Sequence, residues 1–155
     1  CIRDRKIIEQ TGVIGEKLDL SSYETIISSQ VAAYIHGGNR LATLVGLTSV
    51  VDEQVGKDVA MQVAAMNPIA LDKESVNQVI IDNEIDVAKD LARQEGKPEE
   101  MLDKIAMGRL NKFFKENTLL NQEFIKESKT SVSQYLNKIE KDLTVTDFKR
   151  VGLGV

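Results

Sequence analysis

The chain has 155 residues, 42% hydrophobic and 28% charged, enough for an apolar core of ordinary size in one or two small soluble domains. A net charge of -4 and a pI near 5.1 exclude a nucleic-acid phosphate reader, which gathers Lys and Arg to displace counterions. The single cysteine, Cys1, excludes an internal disulfide and points to a reducing compartment, the cytoplasm by default; no apolar run reaches the roughly 18 to 20 residues that cross a bilayer, and the N-terminus has no signal-peptide core, so no membrane is expected.

Taken in order, residues 1–10 carry Ile2, Arg3, Arg5, Lys6, Ile7 and Ile8 with no cap ahead of them, which fits the last turns of a helix that Thr11-Gly12 ends. Val13-Ile14-Gly15 is then a short apolar segment, and Leu18, Leu20 and residues 23–27 are predicted as a strand. Residues 28–47 are the centre of the chain: two apolar runs, 31–35 and 41–47, flank His36-Gly37-Gly38-Asn39-Arg40. A glycine pair between strand-length runs supplies the positive φ that an antiparallel hairpin needs. Val31, Ala33 and Ile35 share one face with Ala32 and Tyr34 opposite, while Leu41, Thr43, Val45 and Leu47 oppose Ala42, Leu44 and Gly46. Both faces are largely apolar, so the sheet needs helices on at least one side.

Residues 52–66 place Val55, Val59, Val63 and Met66 at helical spacing, with Asp52 as N-cap and Asn67-Pro68 as the stop. Residues 74–95 form a long helical pattern with two apolar rows, Val76, Ile80, Val87 and Leu91 on one and Ile81, Ile85, Ala88 and Ala92 beside it. Gly96-Lys97-Pro98 reverses the chain into a second arm, residues 98–115, with Met101, Leu102, Ile105, Ala106, Leu110 and Phe113 on a matching face. Each arm spans on the order of 25 to 30 Å. Rows wider than one helix can cover predict a hairpin that stands away from the body and self-associates, with Ile81, Ile85, Ala88 and Leu91 at the contact.

Leu119 and Leu120 then precede Asn121-Gln122-Glu123-Phe124-Ile125. Residues 128–130 open a short helix with Val132, Tyr135, Leu136 and Ile139 on one face; Thr130 and Ser131 are both candidate caps, and Ser131 with Gln134 fits a capping box. Residues 143–151, with Val145, Phe148 and Val151, make a closing strand, and residues 152–155 trail off. The predicted fold is α+β: a small antiparallel sheet covered by helices, residues 1–68 and 119–155, interrupted by an antiparallel coiled-coil hairpin over residues 69–118.

Residues that carry chemistry are few. His36, the sole histidine, has no Cys, Asp or Glu at ligand spacing, so no metal is expected. No serine sits in a Gly-x-Ser-x-Gly context, and neither Gly-x-x-x-x-Gly-Lys-Ser nor Gly-x-Gly-x-x-Gly occurs, so the chain has neither a nucleophile elbow nor a phosphate loop. Glu99-Glu100 and the trio Asp82, Glu84, Asp86 read as solvated helix faces, and Met61, Met66, Met101 and Met107 as core filler. With no catalytic residue and no cofactor expected, the residues favour a binding module over an enzyme. His36 is either an exposed turn residue or a contact presented at a hairpin tip.

Four runs, Tyr34-Ile35-His36-Gly37-Gly38, residues 59–68, Gly96-Lys97-Pro98 with residues 107–113, and Ser128-Lys129-Thr130-Ser131-Val132, resemble segments of the elongation factor Ts family in that family's order. The resemblance covers nearly the whole chain. It implies the C-terminal half of the family's core, with the inserted coiled coil often called its dimerisation domain. It also implies a function without covalent chemistry: acceleration of GDP release from the translation GTPase elongation factor Tu. By the same resemblance Ile14-Gly15 matches a pair touching the partner's nucleotide-binding domain, and His36 and Ile125 match positions facing elongation factor Tu. Asn39-Arg40 stands where the family is more varied.

Two of the family's features are absent from this sequence: the N-terminal ubiquitin-associated-like domain, and the Thr-Asp-Phe-Val segment whose Asp and Phe intrude near the partner's magnesium and nucleotide. Together with the uncapped helix at Cys1, this predicts a part of a longer protein. Two readings follow: the partner-binding half of a nucleotide exchange factor or, alternatively, a coiled-coil self-association module without exchange activity of its own.

Overall fold

The computed structural model describes residues 2–153; Cys1, on which the compartment reading turns, and Gly154 and Val155 at the tail lie outside the described residues. Its sheet forms around the predicted hairpin. Strands β1 (Gln30–Ile35) and β2 (Leu41–Leu47) pair antiparallel, with Ala32 opposite Val45 and Tyr34 opposite Thr43. The positive φ values fall on Gly38 (+83°) and Asn39 (+56°), so asparagine, which tolerates the left-handed region, takes half of the role expected of the glycine pair. The closing strand exists as β5 (Val145–Gly152), antiparallel to β2, so the order is β1-β2-β5.

One helix covers one face of this sheet. In α2 (Glu53–Met66) the Asp52 carboxylate accepts from the Gln54 N–H at 2.8 Å, and Asn67 turns left-handed (φ +45°) at the far end, as the sequence predicts. The helix approaches β1 closely because Gly56 has no side chain: a Cβ there would lie 2.6 Å from the Ala32 Cβ. The Thr43 hydroxyl, inward on β2, donates to the Ala60 carbonyl at 2.8 Å. The core joins Val45 and Leu47 of the sheet, Val59 and Val63 of α2, and Val132 and Leu136 of α5 (Val132–Ile139). α5 opens on the expected Ser131–Gln134 capping box. On the opposite face of the sheet Val31 and Ile35 stay exposed.

The two long helices are α3 (Gln78–Gln94) and α4 (Glu99–Asn117), which pack chiefly on each other. α3 begins later than residue 74, because the Asp72 carboxylate holds the Ser75 N–H and hydroxyl in a turn and Asn77 supplies the N-cap. Gly96 (φ +73°) makes the reversal, with the Lys97 N–H returning to the Ala92 carbonyl at 3.0 Å. Lys89–Asp103, Arg93–Glu99 and Arg109–Glu95 bridge the helices on the surface, where each such pair contributes little. Three backbone bonds of 2.9 Å, Ile69 to Asn117, Leu119 to Ala70 and Leu120 to Leu71, join the segment before α3 to the end of α4 and the segment after it.

Four expectations are corrected. Of the methionines expected as core filler, Met66, Met101 and Met107 are exposed. The first helix, α1 (Ile2–Ile14), continues through Thr11 and Gly12 to Ile14 and buries no side chain. Residues 18–27 form no strand: the outer edges of β1 and β5 stay open, and the segment instead reaches the sheet's outer face, where a Cβ on Gly46 would lie 2.9 Å from Ile26 Cγ2. Residues 128–130 do not open a helix: Glu127–Ser131 is a strand, β4, paired with the two-residue β3 (Glu123–Phe124) in a second small sheet. The α+β class stands.

Candidate functional site

Of the predicted contact residues, His36 and Ile125 sit on two turns, and Ile14 and Gly15 at the end of α1. At the first turn the His36 N–H donates to the Leu41 carbonyl at 2.8 Å, and the His36 carbonyl accepts from the Asn39 N–H at 3.1 Å. Tyr34, two residues earlier on the same face of β1, packs against the core and brings its phenol oxygen 3.0 Å from His36 Nδ1. The rings are 6.0 Å apart and inclined by 52°. The imidazole is therefore exposed yet held from behind by a half-buried tyrosine. Thr43, opposite Tyr34, ties this part of the sheet to Ala60 of α2.

The second turn follows β3, and a polar row on α2 holds it. Gln54, Asp58 and Gln62 recur every four residues, so they share one helix face. The fully buried Gln62 accepts from the Ile125 N–H at 2.9 Å and donates to the Glu123 carbonyl at 3.1 Å and to Gln122 Oε1 at 3.2 Å. Gln122, also buried, donates to the Glu116 carbonyl at 2.8 Å and so reaches the last turn of α4. Asp58 accepts from Lys126 Nζ at 2.6 Å and from Gln54 Nε2 at 2.6 Å. Phe124 is buried and stacks on Tyr135, ring centroids 4.2 Å apart. Burial, and then the nearby Asp58 carboxylate, raise the Tyr135 pKa, because both disfavour a phenolate. Among these anchored groups the Ile125 side chain stays 43% exposed.

Ile14 and Gly15 close α1. Gly15 is left-handed (φ +77°), its N–H bonds to the Thr11 carbonyl at 2.9 Å, and Ile14 is 54% exposed. No hydrogen bond of the described residues joins this pair to His36 or Ile125; Ile125 bonds directly to Gln62 of α2, whereas Thr43, across the sheet from Tyr34, bonds Ala60. The four residues predicted for self-association fall on two different sides of α3. Ala88 is 4% exposed in the seam with α4, Ile81 and Ile85 beside it are half-buried, and Leu91 lies on the open row with Ile80 and Val87.

The Gln54–Asp58–Gln62 row and its bonds to residues 122–126 were not anticipated from the sequence. The available signal was three polar residues four apart within a helix whose other inward positions are apolar. Among the described residues no three of His, Cys, Asp and Glu converge as metal ligands, and no helix is long and apolar enough to cross a membrane.

Comparison with known proteins gives the family. The family model described as Elongation factor TS matches residues 3–155. The chain is 52% identical over 151 residues to elongation factor Ts of Christiangramia forsetii and 53% identical over 152 residues to that of Amoebophilus asiaticus, in both cases across 96% of this chain and 55% of the relative. Elongation factor Ts of Clostridium kluyveri is 38% identical over 151 residues, 90% of this chain and 49% of the relative. The chain thus spans about half the length of the curated relatives it matches. Because the family match extends from residue 3 to residue 155, across the sheet, the helical pair and both turns, the chain belongs to the elongation factor Ts family of translation elongation factors.

Proposed function

We propose that this chain supplies part of a docking surface for elongation factor Tu, and that the full-length protein accelerates GDP release from it in the cytoplasm without covalent chemistry. Family membership is the observation that carries this reading, and the two supported turns are consistent with it. An exchange factor works by binding the nucleotide-free state of its partner more tightly than the nucleotide-bound state, so it needs presented surface rather than a general base or a metal. His36, Ile125, Ile14 and Gly15 are the proposed contacts, and all four are exposed. His36→Ala in the full-length protein is expected to weaken association with elongation factor Tu by roughly 1 to 2 kcal/mol, with little change in melting temperature. Titration calorimetry and the rate of GDP release measure this; unchanged affinity and rate in folded His36→Ala and Ile125→Ala proteins would overturn the assignment of this face.

We also propose that residues 69–118 form a unit separable from the body of residues 1–68 and 119–155, and that this unit mediates a homodimer. The pairing of α3 with α4, the three backbone bonds between residues 69–71 and 117–120 and the open row Ile80, Val87 and Leu91 support the proposal. One deletion tests both parts. Replacing residues 71–117 by a short linker should leave a body that unfolds cooperatively, since loop closure changes little over such lengths, and should convert a dimer to a monomer in sedimentation equilibrium. Loss of cooperative unfolding would count against the division, and a monomeric intact chain at high concentration would count against the dimer.

A further inference from the structure

A ribbon as short as β3 with β4 has no reason of its own to hold one shape: β3 has two residues, β4 has five, and isolated two-stranded hairpins are marginal in water. Yet three consecutive residues beside its turn are each fixed by a different group. The Phe124 ring is buried against Tyr135, the Ile125 N–H donates to Gln62 Oε1, and the Lys126 ammonium meets the Asp58 carboxylate. Asp58 and Gln62 stand one helical turn apart on α2, so a single rigid helix sets two of the three anchors. Ile125 is held through its backbone, which leaves its side chain free to be presented.

Gln62 is an unexpected residue for a core. A buried amide stabilises a fold no better than an apolar side chain of similar shape, and it is tolerated when every polar atom is paired. Here each of its polar atoms is paired with the 122–125 segment: Oε1 to the Ile125 N–H, and Nε2 to Glu123 and Gln122. Fully buried, it cannot itself touch a partner.

We propose that Gln62 and Asp58 are positioning residues that pre-organise Ile125 as a rigid apolar anchor for docking onto the partner GTPase. This rests on the docking role proposed for Ile125, and it adds that affinity depends on α2 residues lying behind the contact. A turn ordered before encounter does not lose conformational freedom on binding, so the clamp acts on the lifetime of the complex rather than on its rate of formation.

The test uses the full-length protein with Gln62→Leu, which keeps the volume and removes the amide, and with Lys126→Met, which removes the Asp58 ion pair and leaves the Gln62 bonds in place. Two quantities are read: hydrogen exchange of the Ile125 amide in the free protein, and dissociation from nucleotide-free elongation factor Tu. In either variant the amide is expected to exchange about tenfold faster and the complex to dissociate about tenfold faster, with the association rate unchanged. Ile125→Ala should then weaken binding less in the Gln62→Leu background than in the native one, a coupling that a merely structural role for Gln62 would not produce. Should Gln62→Leu fail to fold, the same coupling is read in the Lys126→Met background. Unaltered Ile125 exchange together with additive effects would overturn the proposal. If Ile125→Ala alone left binding unchanged, the docking role would fall, and the exchange rate of the Ile125 amide would still decide whether the clamp orders the turn.

Discussion

Leu136→Ala is expected to lower the free energy of unfolding by about 3 kcal/mol, because it removes a fully buried side chain and leaves a cavity that its neighbours only partly close. The loss should be large here because of what Leu136 joins. α5 has eight residues, too few to be helical alone, and its buried Val132 and Leu136 reach the same cluster as Val59 and Val63 of α2 and Leu47 of the sheet. Urea unfolding measures the change. Leu91→Ala is the internal comparison: with Leu91 on the open row of α3, the same truncation should alter stability by no more than about 0.5 kcal/mol in dilute solution. Equal losses at the two positions would mean that the covered and open faces have been assigned wrongly.

Gly56→Val should destabilise the fold by about 2 to 3 kcal/mol through overpacking, although valine is the better helix former. A Cβ at position 56 would come within 2.6 Å of the Ala32 Cβ, and Ala32 sits on β1 with no side-chain torsion through which to yield. The helix as a whole would have to retreat from the sheet, disturbing the Thr43–Ala60 bond and the apolar contacts beneath it. Thermal unfolding gives the size of the effect. The combination of Ala32→Gly with Gly56→Ala is the informative control: it moves the methyl group from strand to helix and should recover most of the stability. A double variant as unstable as Gly56→Val would show that the close approach is not the cause.

Much of this architecture was legible residue by residue. Asp52 and Asn67 bound α2, Ser131 with Gln134 opens α5, Gly96 reverses the chain between α3 and α4, and the apolar runs on either side of His36 pair as drawn. These features are set within a few residues, by the backbone preferences of glycine and asparagine and by side chains that cap their own helix. The exposed tip bearing His36 was visible for the same reason. The support that Tyr34 gives that ring was not legible, because a pairing between a phenol and an imidazole two residues away looks no different from ordinary strand alternation.

What the sequence determined by itself is the set of elements with local signals, together with the family resemblance that names His36 and Ile125. The tertiary structure decided which of the two apolar rows on α3 is covered. Both have the same spacing, and only the small side chains Ala88 and Ala92, seen against α4, show which one closes into a seam. It decided that residues 18–27 form no strand although β1 and β5 leave open edges, the segment instead reaching the outer face of the sheet near Gly46. It also decided the shape of the turn at Ile125. β3 and β4 are too short and too polar to announce themselves, and the groups that fix them, Gln62 and Asp58, lie about sixty residues earlier on a helix whose inward side reads as apolar.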